Sequence, residues 1–377
     1  MKSGLEASTN TTSWFIAIIL SIISHGTLAG IVEFNDAMRK GDFATAAAET
    51  QSIWSDYDKG KESAPTLARE FGFVNYMAGN YDTAMEFVNQ LNASELVDNQ
   101  PKVTAILAAA INYKKDGDIK DLPDLSTALT DRLTVDGLDN ISLIGADLLY
   151  QSYWEKGKWL EIEEAASLSK SLYMRGGDQL LIRQYKADLI TSAAKFLTKG
   201  KVNQYNVMGE LHDTIVDAIN NSQPGMKRKG LAELKFTAQA WANAMFMAYK
   251  TYHPRTGTYI DQNEKIRSFA MPRVSIFDDE PSRVVSKPCD VDLKTPTLRY
   301  PPNAAFRGSV GSVVTLIKFD EKGKSTSAKV LSAVPTGIFA RTVMDKSDKF
   351  YLEKLDTSDK DCQFPERLVQ SFSFYIQ

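Results

Sequence analysis

Five glycines constrain what this chain can fold into. Gly41, Gly79, Gly117, Gly157 and Gly200 stand 38, 38, 40 and 43 residues apart, and each ends a stretch whose apolar residues recur at helical spacing. Each is followed by apolar residues two and five positions on: Phe43 and Ala46, Tyr81 and Ala84, Ile119 and Leu122, Trp159 and Ile162, Val202 and Tyr205. In a chain that is 43% apolar, ten hits in ten arise by chance with a probability on the order of 10⁻⁴ before the choice of frame is counted. The physical reading is a helical hairpin. Glycine closes the first helix in a left-handed cap, and the two apolar residues seat the second helix against it. Asp42, Asn80 and Asp118 are suited to cap that second helix.

Gly-Asp-Phe-x-x-Ala at Gly41 and Gly-Asn-Tyr-x-x-Ala at Gly79 resemble tetratricopeptide units, with a period longer than their usual ~34 residues. The expectation is therefore a mainly α region over 34–252, a tetratricopeptide-like helical-hairpin solenoid whose curved surface suits a protein segment. Tyr81, Trp154 and Trp159 are expected to pack in its core, and His212 to lie on a helix surface. The helical text breaks at His253-Pro254, and nine of the 13 prolines lie from there on. Residues 253–296 are expected to be a Pro-rich linker, with a strand at Arg273 to Phe277.

The last eighty residues change character. Ser312 to Lys324 alternates, with Val313, Thr315, Ile317 and Phe319 on one face of a strand and Val314, Leu316 and Lys318 on the other. Glu321, Lys322 and Gly323 turn the chain, and Thr326 to Val334 returns. Phe339, Val343, Ser347 and Phe350 follow at helical spacing. Leu368, Phe372, Phe374 and Ile376 then alternate with Ser371 and Ser373, so the order is strand, strand, helix, strand.

In this segment Tyr300-Pro301, Gly311-x-Val313, Asp320-x-x-Gly323, Leu331-Ser332, Pro335 and Phe339 follow one another as in the C-terminal domain of the TonB energy-transducer family, which the segment resembles. Glu353 and Lys354 depart from the aromatic, basic, aromatic-Pro pattern that usually ends the family's helix. The resemblance implies a small α+β domain of ββαβ order over 297–377 that takes an outer-membrane receptor peptide by strand addition to its last strand. Arg299 and Tyr300 would touch the receptor, while Gln370, Ser371, Ser373 and Tyr375 would border the guest peptide. It also implies inner-membrane proton-motor subunits as partners. A homodimer through the C-terminal sheet is a further expectation, because the last strand leaves one edge open.

The N-terminal 1–33 carries an apolar run, Trp14 to Ser24, that reads equally as a cleaved signal peptide or as a membrane anchor. Ser21 and His25 stand one helical turn apart, similar to the Ser-x-x-x-His of the TonB anchor, where an intramembrane His needs a polar partner. Either reading exports the bulk of the chain, and an oxidising compartment predicts a disulfide between Cys289 and Cys362, the only cysteines.

Residues 297–377 carry 12 Lys+Arg against 9 Asp+Glu, too balanced to suggest nucleic acid. Three histidines and two cysteines give no metal-ligand spacing, and phosphate-loop and nucleophile-elbow motifs are missing. No enzyme and no cofactor is expected. The functional expectation is a periplasmic TonB-like protein coupling an inner-membrane energy source to outer-membrane transport. The alternative is a cleaved periplasmic scaffold that binds proteins through the solenoid and sheet and transduces no force.

Overall fold

The computed structural model describes residues 28–92, 96–199, 204–222, 225–252, 287–302, 304, 310–335, 337–355 and 361–374. These residues are mostly helical, with a small antiparallel sheet region near the C-terminus. The chain divides into two compact units, Met1–Asp178 and Gln179–Gln377.

In the first unit the helices come in pairs: α1 (Leu28–Lys40) with α2 (Phe43–Asp56), α3 (Ala64–Ala78) with α4 (Tyr81–Asn92), α5 (Pro101–Asp116) with α6 (Leu122–Arg132), and α7 (Asn140–Glu155) with α8 (Trp159–Met174). Gly41, Gly79, Gly117 and Gly157 separate the members of each pair at φ of 70, 82, 66 and 67°, the left-handed region that a side chain disfavours. The second helix starts two residues later at Phe43, Tyr81 and Trp159. In the third pair a single 3-10 turn, Ile119–Asp121, precedes α6. Asp42 accepts from the Thr45 amide at 3.1 Å and Asp118 from the Lys120 amide at 3.0 Å. Gly200 lies outside the described residues.

Each helix packs on its successor, and α3 on α5, α5 on α7 and α6 on α8 as well. Phe34, Trp54, Phe71 and Phe87 meet edge to face at 5.5–6.4 Å, where each ring's positive edge meets its neighbour's negative face. The Trp54 indole N–H donates to Gln90 Oε1 at 2.6 Å. A Cβ on Gly145 of α7 would come within 2.6 Å of Ile106 Cγ2 on α5, so that close helix crossing depends on a missing side chain.

The second unit begins with α9 (Leu181–Lys199), α10 (Gln204–Asn220) and the long α11 (Met226–Tyr252). Its sheet has the order β3 (Ser325–Val334), β2 (Gly311–Phe319), β5 (Arg367–Phe374), with β2 antiparallel to both neighbours. On one face Val313, Ile317 and Phe319 pack with Phe339 and Val343 of the short α12 (Ile338–Met344) and with Phe350 and Phe374. The other face meets α11, which contacts all three strands as well as α9 and α10. Gln239 Nε2 donates to Ser371 Oγ at 2.9 Å and Ser332 Oγ to Thr237 Oγ1 at 3.3 Å. Ser371 and Ser332 are the two register partners of Val314, so Val314, itself buried, faces α11 too.

Three features differ from the expectations, each through its own packing or pairing. The division into units falls inside the helical region rather than at 253–296, because α11 has apolar residues on more than one side: Leu231, Phe236, Trp241 and Met245 are all buried. His212, expected on a helix surface, is 1% exposed, because α10 is pressed against α11. Its Nδ1 lies 3.2 Å from Asp213 Oδ1, and burial holds its pKa below the ordinary histidine value. The end of the Pro-rich stretch is ordered, since β1 (Val291–Lys294) pairs with β4 (Tyr351–Lys354).

The helix expected to reach Phe350 ends at Met344. A 3-10 turn, Ser347–Lys349, follows, and the chain is extended from Phe350. Pairing of Tyr351 to Lys354 with β1, and a bond from the Leu352 amide to the Gly323 carbonyl at 2.8 Å, offer those residues a strand in place of more helix. The expected strand at Arg273 to Phe277 lies outside the described residues.

Candidate functional site

Tyr300, the first residue of the Tyr-Pro pair, places its ring edge-on to Phe339 at 5.6 Å and to Phe374 at 6.4 Å, and Phe339 stacks on Phe374 at 4.8 Å. Three aromatic residues thus tie the segment before β2 to α12 and to the end of β5. Gly311 is the backbone against which Phe339 rests: a Cβ there would stand 2.2 Å from the ring and 2.8 Å from the Val334 carbonyl oxygen. Asp320 closes the following turn by accepting from the Lys322 and Lys324 amides at 2.9 and 2.8 Å, and Gly323 supplies φ of 75°.

Among the described residues β5 pairs only with β2, so one of its sides is an open edge. The Phe319 amide donates to the Glu366 carbonyl at 2.7 Å. In an antiparallel ladder such bonded pairs recur every second residue. The register runs without a shift through Ile317↔Leu368, Thr315↔Gln370, Val313↔Phe372 and Gly311↔Phe374, so Leu368, Gln370, Phe372 and Phe374 spend their main-chain groups on β2. Arg367, Val369, Ser371 and Ser373 alternate with them and turn N–H and C=O away from β2, toward the open side. The Gln370 side chain folds back to donate from Nε2 to the Ser371 carbonyl at 3.0 Å, which fits an outward-turned carbonyl. The edge is thus partly shielded by its own residue.

A cavity of about 520 Å³ lies between the Tyr-Pro segment and α12. Arg299, Arg341 and Lys346 line it together with Tyr300, Pro301 and Ile338, and Asp345 supplies one carboxylate. Among the described residues none of the three cations forms an ion pair. Tyr300 Oη is buried with no hydrogen-bond partner, and burial raises its pKa above the usual phenol value.

Arg299 and Tyr300 therefore sit together at the cavity, while Gln370, Ser371 and Ser373 lie along β5. Ser371 turns its hydroxyl to Gln239 of α11, while its main chain faces the open side of β5. Tyr375, Ser21 and His25 lie outside the described residues. Cys289 and Cys362 are joined by a disulfide with Cα atoms 4.8 Å apart. The Cys289 amide donates to the Gln363 carbonyl and the Gln363 amide to the Lys287 carbonyl, both at 2.9 Å, so the start of β1 is fastened to the approach to β5. Arg341, on the short α12, and Lys346, in the turn that follows it, had no sequence signal, because single cations in such places read as an ordinary solvated face.

Among the described residues no group of three or more His, Cys, Asp or Glu is placed to hold a metal ion, and no helix is long and apolar enough to cross a membrane. Comparison with family models, with curated proteins and with solved structures returns no match.

Proposed function

We propose that the chain is a TonB-like energy transducer of the periplasm whose C-terminal module takes an extended receptor peptide onto the open edge of β5, with the helical hairpins as a tetratricopeptide-like spacer and docking surface. The observation that carries this reading is the alternation along β5, where Val369, Ser371 and Ser373 turn their main-chain groups away from β2, the Ser371 carbonyl being met only by the side chain of Gln370, and where the strand ends at the Tyr300–Phe339–Phe374 cluster. Strand addition needs such an edge: main-chain bonds supply affinity and alternate side chains supply specificity. In this reading Ser21 and His25 meet a proton-motor subunit in the inner membrane.

The test uses the N-terminal segments of the outer-membrane receptors encoded by the same genome, made as peptides. At least one should bind wild-type protein and lose most of its affinity to Ser373→Pro, since that outward N–H is not spent on β2 and its loss spares the fold. Equal binding by a folded Ser373→Pro variant contradicts the reading.

A second reading, a periplasmic scaffold that transduces no force, draws on one observation: the sheet is packed on α11, so the module is tied to helices instead of ending a long tether. Sequencing the N-terminus of the mature protein separates the two. A retained Trp14–Ser24 segment supports the transducer, and a chain beginning at Gly30 supports the scaffold.

A further inference from the structure

We propose that the cavity between the Tyr-Pro segment and α12 binds an acidic peptide segment, its carboxylates held by Arg299, Arg341 and Lys346 and an adjoining apolar side chain resting on Tyr300, Pro301 and Ile338. The inference rests on the proposal that this end of the module meets a partner, and adds the chemistry of the residues that flank the paired stretch.

Three observations converge. First, three cations and one carboxylate, Asp345, line a single cavity of about 520 Å³, within the usual range of roughly 300–1,000 Å³ for ligand sites. None of the cations is neutralised by a neighbour among the described residues, and a guanidinium fork matches a carboxylate through two parallel bonds. Second, the other walls are a tyrosine, prolines and an isoleucine. Inorganic phosphate would leave those walls unused, whereas a peptide brings an apolar side chain next to its carboxylates. Third, the buried Tyr300 hydroxyl has no partner. A buried donor left without an acceptor is destabilising, and a carboxylate oxygen that reached it would supply one. The position fits as well: Tyr300 also touches Phe374 at the end of β5, so a segment paired along β5 and continued past Phe374 runs toward this cavity.

The experiment follows backbone amide shifts of the isotope-labelled full chain at low salt, where attraction between exposed charges is least screened. The probes are acetyl-Asp-Glu-Leu-Asp-amide, its neutral counterpart acetyl-Asn-Gln-Leu-Asn-amide, and sodium phosphate at matched ionic strength. The acidic peptide should give saturable shifts at Ile338, Thr342 and Lys346 with a Kd at least tenfold below the neutral one, and the preference should vanish in Arg341→Glu/Lys346→Glu. Thermal unfolding checks that variant. If its midpoint falls, Arg341→Gln/Lys346→Gln serves instead, with the same loss of preference expected.

Equal binding of the two peptides, or an unchanged preference in a folded double variant, overturns the inference. So do identical shifts with phosphate at the same concentration, which would make the cavity a simple anion site. These probes have no alternating stretch to lie along β5. The amides of Val369, Ser371 and Ser373 then report strand addition separately, with the longer receptor peptides, and failure of one reading leaves the other standing.

Discussion

Cations are handled in opposite ways by the first unit and by the C-terminal module of the second. In the first, Arg69 and Arg132 are buried and each is answered: Arg69 by Asp98 at 2.9 Å and by Asn99 at 3.1 Å, Arg132 by Asp139 at 3.2 Å. Burial leaves no choice, since an unpaired charge in a low-dielectric interior is too costly to keep. In the module, Arg299, Arg341 and Lys346 stand around a cavity with one carboxylate among them, and the last strand keeps main-chain groups unspent. Water can solvate an exposed cation, so a single one carries no information. Three of them around one cavity, with a single carboxylate, are what the proposal of an acidic guest rests on.

The largest expected effect would break the closed side of that comparison. Asp98→Ala should destabilise the first unit by about 3–5 kcal/mol, because it removes the carboxylate that the buried Arg69 guanidinium donates to and leaves Asn99 as its hydrogen-bond partner, with Glu70 and Asp139 acting only through their charge; chemical denaturation reads this, and a loss under 1 kcal/mol would mean that Arg69 reaches water. Gly311→Ala tests whether the aromatic cluster is rigid. A Cβ driven into the Phe339 ring should cost roughly 1–3 kcal/mol and reduce peptide binding at β5, whereas unchanged denaturation and binding would show that the ring can yield.

A comparable effect of opposite sign is expected at Lys235, buried on α11, whose ammonium is drawn down to about 8 by loss of hydration. Between pH 8 and the ordinary lysine value of 10.5 the folded chain holds fewer protons at this group than the unfolded chain. Stability should therefore rise across that window and be lowest below pH 8. Lys235→Met should flatten the rise and stabilise the second unit at pH 7 by on the order of 2 kcal/mol. A pH profile identical to that of wild type would contradict this. The smallest effect sharpens the open side. Gln370→Ala, by freeing the Ser371 carbonyl, should tighten receptor-peptide binding about fivefold, the worth of one hydrogen bond near 1 kcal/mol, and weaker binding would show that Gln370 contacts the guest.

How far the fold was legible follows from the same local chemistry. The hairpin joints at Gly41, Gly79, Gly117 and Gly157 could be read because a left-handed cap demands a particular residue at a particular place. The alternation of β2 and β5 could be read because a period of two has few other uses. Packing of α11 on the sheet could not, since an apolar helix looks the same whether its second face meets helices or strands. The start of β4 was lost for a related reason: Phe350 falls on helical spacing with Phe339 and Val343, and only pairing with β1, distant in sequence, draws Tyr351 to Lys354 into a strand. Of the candidate site, Tyr300 was visible as the first residue of the Tyr-Pro pair and Arg299 as its neighbour. Arg341 and Lys346 became visible once folding brought them to the same cavity.

The most direct test of strand addition is amide hydrogen exchange along β5, measured with and without the tightest-binding receptor peptide. The account expects protection to rise at least tenfold at Val369, Ser371 and Ser373, whose N–H groups face the open side, with little change at Leu368, Gln370 and Phe372, already bonded to β2. A peptide that binds while the three outward amides exchange at their free rates would contradict it.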